Sequence, residues 1–497
     1  MRLSRVTEGT GAVGALGADP EIALVTGDSR QVGPGSLFFA LRGTQADGHD
    51  FAAEAARRGA VAVVAERPVA CPPALLLLAP SSRRAMAIAA ANLRGRPADA
   101  MRVAGVTGTN GKTTVTYLAE ACAAAAGVPA GVLGTVSHRF PGVVRAAGHT
   151  TPESTAVQDL LAEMRDAGAR LALLEVSSHA LAQERVAGIR FAVAAFTNLT
   201  RDHLDYHGDM ASYFDAKRRL FTEHLAPDGT AVVNARDPAG ARLADQIGPG
   251  RRVWRCGIRE EDALRARDVR MGLSGIEAVL LTPAGEIPIR SPLVGRHNLE
   301  NLLCAAGVAL ALGIPPGAVG RGLSESAGAP GRLERVAARG VNVFVDYAHT
   351  DDALARVLEA LRALSPRRLL TVFGCGGDRD RGKRPLMGRA AGAASDLVVV
   401  TSDNPRTEDP LAIVGEIVPG VEEAGLRRIG ADAARRGEPG YLVEPDRRAA
   451  IALAVECARE GDAVLVAGKG HEETQIVGKE RRPFSDRDEA RRALGIA

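Results

Sequence analysis

Gly108-Thr109-Asn110-Gly111-Lys112-Thr113-Thr114 combines the residue types that bind a polyphosphate. Glycines let backbone N–H groups curl around phosphate oxygens, a lysine supplies a compact positive charge, and a threonine hydroxyl can ligate Mg²⁺. The usual spacing is G-x-x-x-x-G-K-[ST], but the position five before Gly111 is Val106, so only Gly108-x-x-Gly111-Lys112-Thr113 remains. On its own that shorter pattern also describes a surface turn.

Other groups with chemistry stand at the ends of apolar runs. Glu175 closes Leu171-Ala-Leu-Leu-Glu-Val176. A carboxylate there is costly to bury unless paired or metal-bound, so it reads either as a ligand or as a structural acid paired with Lys112. The run from Phe191 to Phe196 ends in Thr197-Asn198, and Arg201-Asp-His203-Leu-Asp205-Tyr-His207-Gly208 follows. That segment suits metal or phosphate, although single histidines also read as surface residues. Further on come Asp346-Tyr-Ala-His349, Gly374-Cys-Gly-Gly-Asp-Arg379, Asp403-Asn404-Pro405-Arg406 and Gly468-Lys-Gly-His-Glu472. Their arginines and amides fit a carboxylate ligand; Asn-Pro equally begins an ordinary surface turn.

These groups need a scaffold that gathers strand ends. The β-branched run Val103–Val106 before the glycines and the Ala-rich segment Tyr117–Ala126 after them give the order strand, loop, helix. From about 99 to 330 strands alternate with helices, the pattern of a largely parallel α/β sheet whose ligands sit at the carboxyl ends of strands. Leu37–Leu41 and Val61–Ala65 read as strands of a small amino-terminal domain, with a helix from about Phe51. Val341–Val345, Leu369–Phe373, Leu397–Val400 and Ala463–Val466 read as strands of a third α/β domain. Arg94–Ala98 and Ser326–Gly331 read as linkers, which divides the chain into 1–98, 99–330 and 331–497. Lys217 falls in Tyr213–Phe221, which has the pattern of an amphipathic helix and by itself suggests a solvated face. Asn298 and Asn301, three apart at a helix start, can read an adenine edge or cap the helix.

Composition sets limits. The 497 residues are 46% hydrophobic and 24% charged with a net charge of +3, so ample core is available and no bulk charge argues for nucleic acid. Aromatics are 3%, too few for base stacking along a single strand. The six cysteines are scattered, without C-x-x-C spacing, which indicates neither a zinc site nor a disulfide framework. No apolar run approaches the roughly 18 residues of a membrane span, and no apolar signal core opens the chain. A cytoplasmic protein with no nucleic-acid or membrane partner is expected.

Taken together, the motifs resemble the Mur ligase family of ATP-dependent amide-bond ligases, over nearly the whole chain. Gly108–Thr114 matches that family's form of the phosphate loop, which accounts for the missing first glycine. Glu175-Val-Ser-Ser-His179, Asn198–Asp205, His297-Asn298 with Asn301, Gly331-Arg-Leu-Glu334 and Asp346–His349 resemble its remaining motifs. Two departures stand out: Asp351-Asp352 where the family has Pro-Asp, and Asn234-Ala-Arg-Asp237 where it has N-x-D-D.

The resemblance implies three α/β domains: a uridine-binding amino-terminal domain, a central ATPase-like domain and a Rossmann-like carboxyl-terminal domain. It implies joining of meso-diaminopimelate to the D-Glu side-chain carboxylate of UDP-MurNAc-L-Ala-D-Glu through an acyl phosphate, in peptidoglycan precursor synthesis, by a protein expected to be a monomer. ATP would lie on Gly108, Thr109, Asn110, Gly111, Lys112, Thr113 and Thr114, with Asn301 near adenine and Arg332 and Asp346 at phosphate and ribose. Lys112, Glu175, His203 and Lys217 would be catalytic. Mg²⁺ would be held by Thr113 and Glu175, and a second ion by His203 and a CO₂-carbamylated Lys217. Gly27, Ser29, Thr44, Gln45, Ala46, Thr150, Thr151, Ser177, Gln183 and Arg185 would hold the nucleotide-sugar dipeptide. Arg379, Asp403, Asn404, Pro405, Arg406, Gly468 and Glu472 would hold the diamino acid. A lysine-adding member of the family, a folylpolyglutamate synthase and a non-ligating ATP-dependent switch are the alternatives. Folylpolyglutamate synthase lacks the Asp403–Arg406 signature.

Overall fold

The runs of Val, Ala, Leu and Phe that dominate the chain form parallel strands buried on both faces, as continuous apolar runs require. The computed structural model describes all residues except 15–16, 44–45, 249, 339 and 497. They form two compact units: Met1–Arg265 with Leu281–Gly285 and Leu303–Gly322, and Ala266–Leu280 with Glu286–Leu302 and Leu323–Ala497. Among the described residues no helix is long and apolar enough to cross a membrane.

The first unit holds two sheets. Leu24–Thr26, Ser36–Phe39, Ala60–Ala65 and Leu75–Leu78 pair in parallel in chain order. The larger sheet has eight strands, ordered Arg252–Cys256, Leu225–Asn234, Phe191–Phe196, Arg102–Thr107, Leu171–Glu175, Ala130–Leu133, Ser137–Phe140 and Val143–Ala146. Six run parallel and the last two fold back as an antiparallel extension. Arg102–Thr107 therefore lies between the strands ending in Glu175 and in Phe196, which brings the phosphate-loop candidate, the acid and Asn198 to one edge. Residues 94–98 end the Ser82–Leu93 helix, with positive φ at Gly95 and Arg96 and with Pro97 and Ala98 buried.

The two departures from the family pattern keep their caps. Asp237 caps the Pro238–Gln246 helix by accepting from the N–H groups of Ala239 and Gly240. Thr350 caps Asp351–Arg362, so Asp351 takes the first helical position, where an acid meets the positive end of the helix dipole.

The second unit is built on a six-stranded sheet ordered Glu334–Ala338, Val341–Asp346, Ala463–Ala467, Leu369–Phe373, Leu397–Val400 and Gly440–Val443, parallel except for the first pair. Asp346 ends its strand, and Gly468, Gly374 and Asp403 follow the carboxyl ends of the neighbouring strands. Behind that edge Arg447 and Asp486, neither side chain exposed, form a two-pronged pair: Nε and Nη2 donate to the two carboxylate oxygens at 2.7 Å each. Arg447 also donates to the carbonyls of Ser402 (3.3 Å) and Ala467 (2.9 Å), so one guanidinium ties together the backbone just before Asp403 and Gly468.

Removing one partner leaves a buried charge, which costs about 3–5 kcal/mol, whereas an apolar pair of similar volume is tolerated. Arg447→Met is therefore expected to lower the denaturant midpoint of the carboxyl-terminal unit sharply, and Arg447→Met/Asp486→Leu to recover most of the loss. Equal midpoints for wild type and Arg447→Met would contradict this.

Candidate functional site

The turn after Arg102–Thr107 admits glycine alone at its first position. Gly108 has φ +145°, and a Cβ there would collide with the Thr197 hydroxyl. The Thr197 hydroxyl donates instead to the Asn110 carbonyl at 2.5 Å. Asn198 holds Asn110 from both sides: its Oδ1 accepts the Asn110 N–H at 2.9 Å and its Nδ2 donates to the Asn110 carbonyl at 3.2 Å. Gly111, at φ +85°, turns the chain into the Lys112–Ala125 helix, whose start carries Lys112, Thr113 and Thr114. Lys112 Nζ donates to the carbonyls of Gly108 (2.9 Å) and Thr109 (2.8 Å).

Glu175 is 1% exposed and oxygen-lined. Its Oε2 accepts from the hydroxyls of Thr113 (2.8 Å) and Thr135 (2.9 Å), and its Oε1 from the Thr135 N–H (2.9 Å). Thr135 was not singled out in the sequence: it follows Gly134, where a Cβ would strike Glu175, and the Gly-Thr pair was the available signal. The Thr135 and Thr150 hydroxyls lie 3.0 Å apart. Thr151 donates to the Glu175 carbonyl and accepts the Ser177 N–H, and Arg185 donates to the Thr151 carbonyl. Arg185 also holds Gln183 Oε1 and pairs with Glu153. Thr150, Thr151, Ser177, Gln183 and Arg185 thus form one continuous polar wall beside Glu175.

Lys217 is not on a solvated helix face. The Met210–Arg219 helix passes into a π turn, Leu220–His224, and Lys217 is 1% exposed. The amphipathic pattern misleads because the stem packs inward and the ammonium finds a backbone carbonyl: Nζ donates to Gly108 O at 2.9 Å and sits 4.5 Å from the Tyr213 ring centroid. Burial holds its pKa well below the ordinary lysine value; the Lys112 charge adds to this and Asp202 opposes it. Tyr213 connects this lysine to a ring cluster. Its hydroxyl is 3.1 Å from Thr109 Oγ1, and His203 and His207 lie 6.1 and 5.2 Å from its ring. His203 stands 4.8 Å from His179 at positive φ and is half exposed, so it is neither isolated nor buried. Burial lowers the pKa of His179 and of His207, helped by their neighbouring cations.

In the amino-terminal sheet, Gly27 packs on Leu41, and Ala46 accepts the Gly43 N–H, so both lie at one end of the strands. Ser29 opens a short turn capped by Asp28. Thr44 and Gln45 lie outside the described residues.

In the second unit, Asn298 donates to the Val294 carbonyl (2.9 Å) and Asn301 to Asn298 Oδ1 (3.1 Å); both are buried, and these amide donors do not cap the helix. Asp346, pushed up in pKa by burial against the pull of Arg332, accepts the N–H groups of Leu333 and Ala348. Arg332 lies over the Tyr347 ring.

The Asp403–Arg406 segment is drawn together with the Gly468–Glu472 loop. Arg406, at φ +51°, donates Nη1 to the Gly377 carbonyl at 2.7 Å and is bridged through its backbone to the Thr474–Val477 strand. Asn404 Nδ2 donates to Glu472 Oε2 at 2.9 Å. A Cβ on Gly376 would meet both Arg406 Nη1 and Arg379 Cγ, so these arginines flank one glycine; Arg379 itself is exposed. Asp403 is raised in pKa by burial, whereas Glu472 is lowered: burial is outweighed by Lys469 and Asn404. No sequence pattern marked Arg384, fully buried and paired with Glu408 and Glu416, which fastens the 376–378 turn because Glu408 accepts the Asp378 N–H.

Comparison with known proteins covers nearly the whole chain. Residues 106–309 match the Mur ligase middle domain, 331–470 the Mur ligase glutamate ligase domain and 21–124 the Mur ligase family catalytic domain. A UDP-N-acetylmuramoyl-L-alanyl-D-glutamate–2,6-diaminopimelate ligase of Geobacter metallireducens is 51% identical over 99% of this chain and 97% of its own length. A solved structure of a ligase with that name is 34% identical, covers 95% of each chain and superposes with a TM-score of 0.73. A Mycobacterium tuberculosis folylpolyglutamate synthase complexed with ADP and AMPPCP covers 83% of this chain and 95% of its own at 21% identity and a TM-score of 0.59, a likeness of fold.

The depressed Lys217 pKa carries a stability cost of definite sign. Between its folded value and the ordinary 10.5, the unfolded chain binds a proton that the folded chain does not, so stability rises with pH across that window. In CO₂-free buffer, Lys217→Met is expected to melt above wild type at pH 7, with the gap closing toward pH 10. A variant less stable than wild type by the same margin at both pH values would show that the buried amine carries no such cost.

Proposed function

Because the chain belongs to the Mur ligase family, we propose that it joins meso-diaminopimelate to the D-Glu side-chain carboxylate of UDP-MurNAc-L-Ala-D-Glu, converting ATP to ADP and phosphate. The observation that carries this reading is the pairing of opposite poles in the carboxyl-terminal unit. Arg406 offers a guanidinium fork for a carboxylate, and Glu472 offers an anion for an ammonium. A side chain ending in both a carboxylate and an ammonium suits such a site, and lysine lacks the carboxylate.

In this reading, 1–98 binds the uridine end, 99–330 binds ATP and 331–497 binds the amino acid. Gly27, Ser29, Thr44, Gln45 and Ala46 meet the nucleotide, and Thr150, Thr151, Ser177, Gln183 and Arg185 position the dipeptide. The loop Gly108–Gly111 and the helix start receive the phosphates, Lys112 supplies charge, and Asn301, Arg332 and Asp346 meet adenine, phosphate and ribose. The D-Glu carboxylate attacks the γ-phosphorus, and its oxygen leaves with the phosphate when the amine attacks the acyl carbon. Arg379, Asp403, Asn404, Pro405, Arg406, Gly468 and Glu472 orient that amine. Thr113 and Glu175 suit Mg²⁺ because they are adjacent hard oxygen donors, and an ion held there supplies positive charge to the triphosphate. A neutral Lys217 amine can take up CO₂ with loss of a proton, becoming an anion that with His203 suits a second ion. The reading makes the protein a cytoplasmic monomer acting on small molecules.

Phosphate release is expected to require meso-diaminopimelate together with the nucleotide-sugar dipeptide and to ignore L-lysine. Release with L-lysine instead would replace the substrate assignment, and release without any amino acid would favour a switch. Arg406→Ala is expected to raise KM for the amino acid by roughly 10- to 150-fold, the value of one charged hydrogen bond at about 1.5–3 kcal/mol, with KM for ATP little changed. An unchanged amino-acid KM would remove Arg406 from the site.

A further inference from the structure

Lys469 lies inside the proposed amino-acid site without any exposed side-chain surface. It therefore cannot touch a ligand, yet it contacts three residues assigned to one. Its Nζ donates to Asn404 Oδ1 at 3.0 Å and to Glu472 Oε2 at 3.0 Å, and lies 3.6 Å from Asp403 Oδ1. An amide side chain can present oxygen or nitrogen in either direction, and its partners decide which. Asn404 Oδ1 takes two donors, Lys469 Nζ and the Ile476 N–H at 2.9 Å, which leaves Nδ2 to donate to Glu472 Oε2. Both bonds to Glu472 therefore fall on Oε2, and Oε1 is left for a ligand. Without the ammonium, Glu472 loses the cation bonded to it while the Asp403 carboxylate, on which Arg447 also acts, stays near, and a carboxylate stripped of its counter-charge in a mostly buried site tends to protonate.

We propose that Lys469 is the positioning residue that sets the polarity of this site: it turns the Asn404 amide nitrogen toward Glu472 and keeps Glu472 an anion with one oxygen open to a substrate ammonium. This rests on the amino-acid site proposed above. Specificity for a diamino acid then depends on a cation that never meets it, and the Gly468–Glu472 loop acts as one unit, with Gly468 at φ +120° beside the Asp403 carboxylate.

The test is steady-state phosphate release, with the wild type as control for the underlying reading. If wild type releases no phosphate in response to meso-diaminopimelate, the functional reading fails, and this proposal with it. If it does, Lys469→Met, which keeps the stem and drops the charge, is expected to raise KM for meso-diaminopimelate by roughly 10- to 100-fold, while KM for ATP stays within about twofold. Because both routes from Lys469 end at Glu472, the Glu472→Gln/Lys469→Met double variant is expected to lie within about threefold of the worse single variant. Multiplying effects, an unchanged amino-acid KM, or equal rises in both KM values would overturn the proposal. Should Lys469→Met not fold, Asn404→Asp serves with Lys469 in place. It faces Glu472 with a second acceptor while giving Lys469 a stronger partner, so the amino-acid KM should rise at least about tenfold without loss of melting temperature. An unchanged KM there would equally overturn it.

Discussion

Two ammonium groups, those of Lys112 and Lys217, donate to one backbone oxygen, Gly108 O, at 2.9 Å each. That places the nitrogens no more than about 6 Å apart, where like charges repel by about 3 kcal/mol at an effective dielectric of about 20. Holding both as cations carries that cost, which falls if one gives up its proton, acquires negative charge, or shares an incoming anion. Lys217, the buried one, is the group whose proton is disfavoured. The carbonyl they share is fixed in turn by the absence of a side chain at Gly108, where the Thr197 hydroxyl fills the space. A backbone constraint of one residue thus brings two ammonium groups together at the proposed phosphate site, and the charge there depends on chemistry at Lys217.

The rest of the first unit serves that edge. Parallel strands buried on both faces bring Gly108, Glu175 and Asn198 to neighbouring strand ends, and the loop after each strand supplies polar groups already paired with one another. Thr113 and Thr135 converge on Glu175, Asn198 grips Asn110, and Arg185 carries the Thr151 carbonyl. Such mutual pairing pre-orients donors before a substrate arrives, which is how a site avoids the cost of reorganisation during reaction. The second unit repeats the plan with opposite emphasis. There the loops after the strands carry both carboxylates and guanidiniums, and buried cations behind them, Lys469, Arg384 and Arg447, fasten the turns that present them.

What the sequence made legible follows from this division. Strands such as Phe191–Phe196, Leu369–Phe373 and Leu397–Val400 could be read because burial on both faces leaves an unbroken apolar run. The motifs could be read because chemistry gathers just after those runs. The burial of Lys217 could not, since one buried lysine does not disturb an amphipathic pattern and the π turn that follows it leaves no local mark. Thr135 and the Arg447–Asp486 pair could not, because their partners are 40 and 39 residues away and no spacing rule joins them. The three-stranded sheet of Arg265–Gly272, Gly275–Thr282 and Gly285–Ser291 also went unread. Its second and third strands alternate buried positions with half-buried or exposed ones over only short stretches, and its first strand, rich in arginine and largely exposed, resembles a solvated loop.

The central claim is that this phosphate-loop edge makes a carboxylate attack the γ-phosphorus of ATP before any amine arrives at the acyl carbon. The fate of oxygen tests it most directly. With UDP-MurNAc-L-Ala-D-Glu labelled with ¹⁸O in both oxygens of the D-Glu side-chain carboxylate, a single turnover should release phosphate carrying one ¹⁸O atom. It should leave the other in the new amide. Phosphate free of ¹⁸O, with product formed at the normal rate, would contradict it.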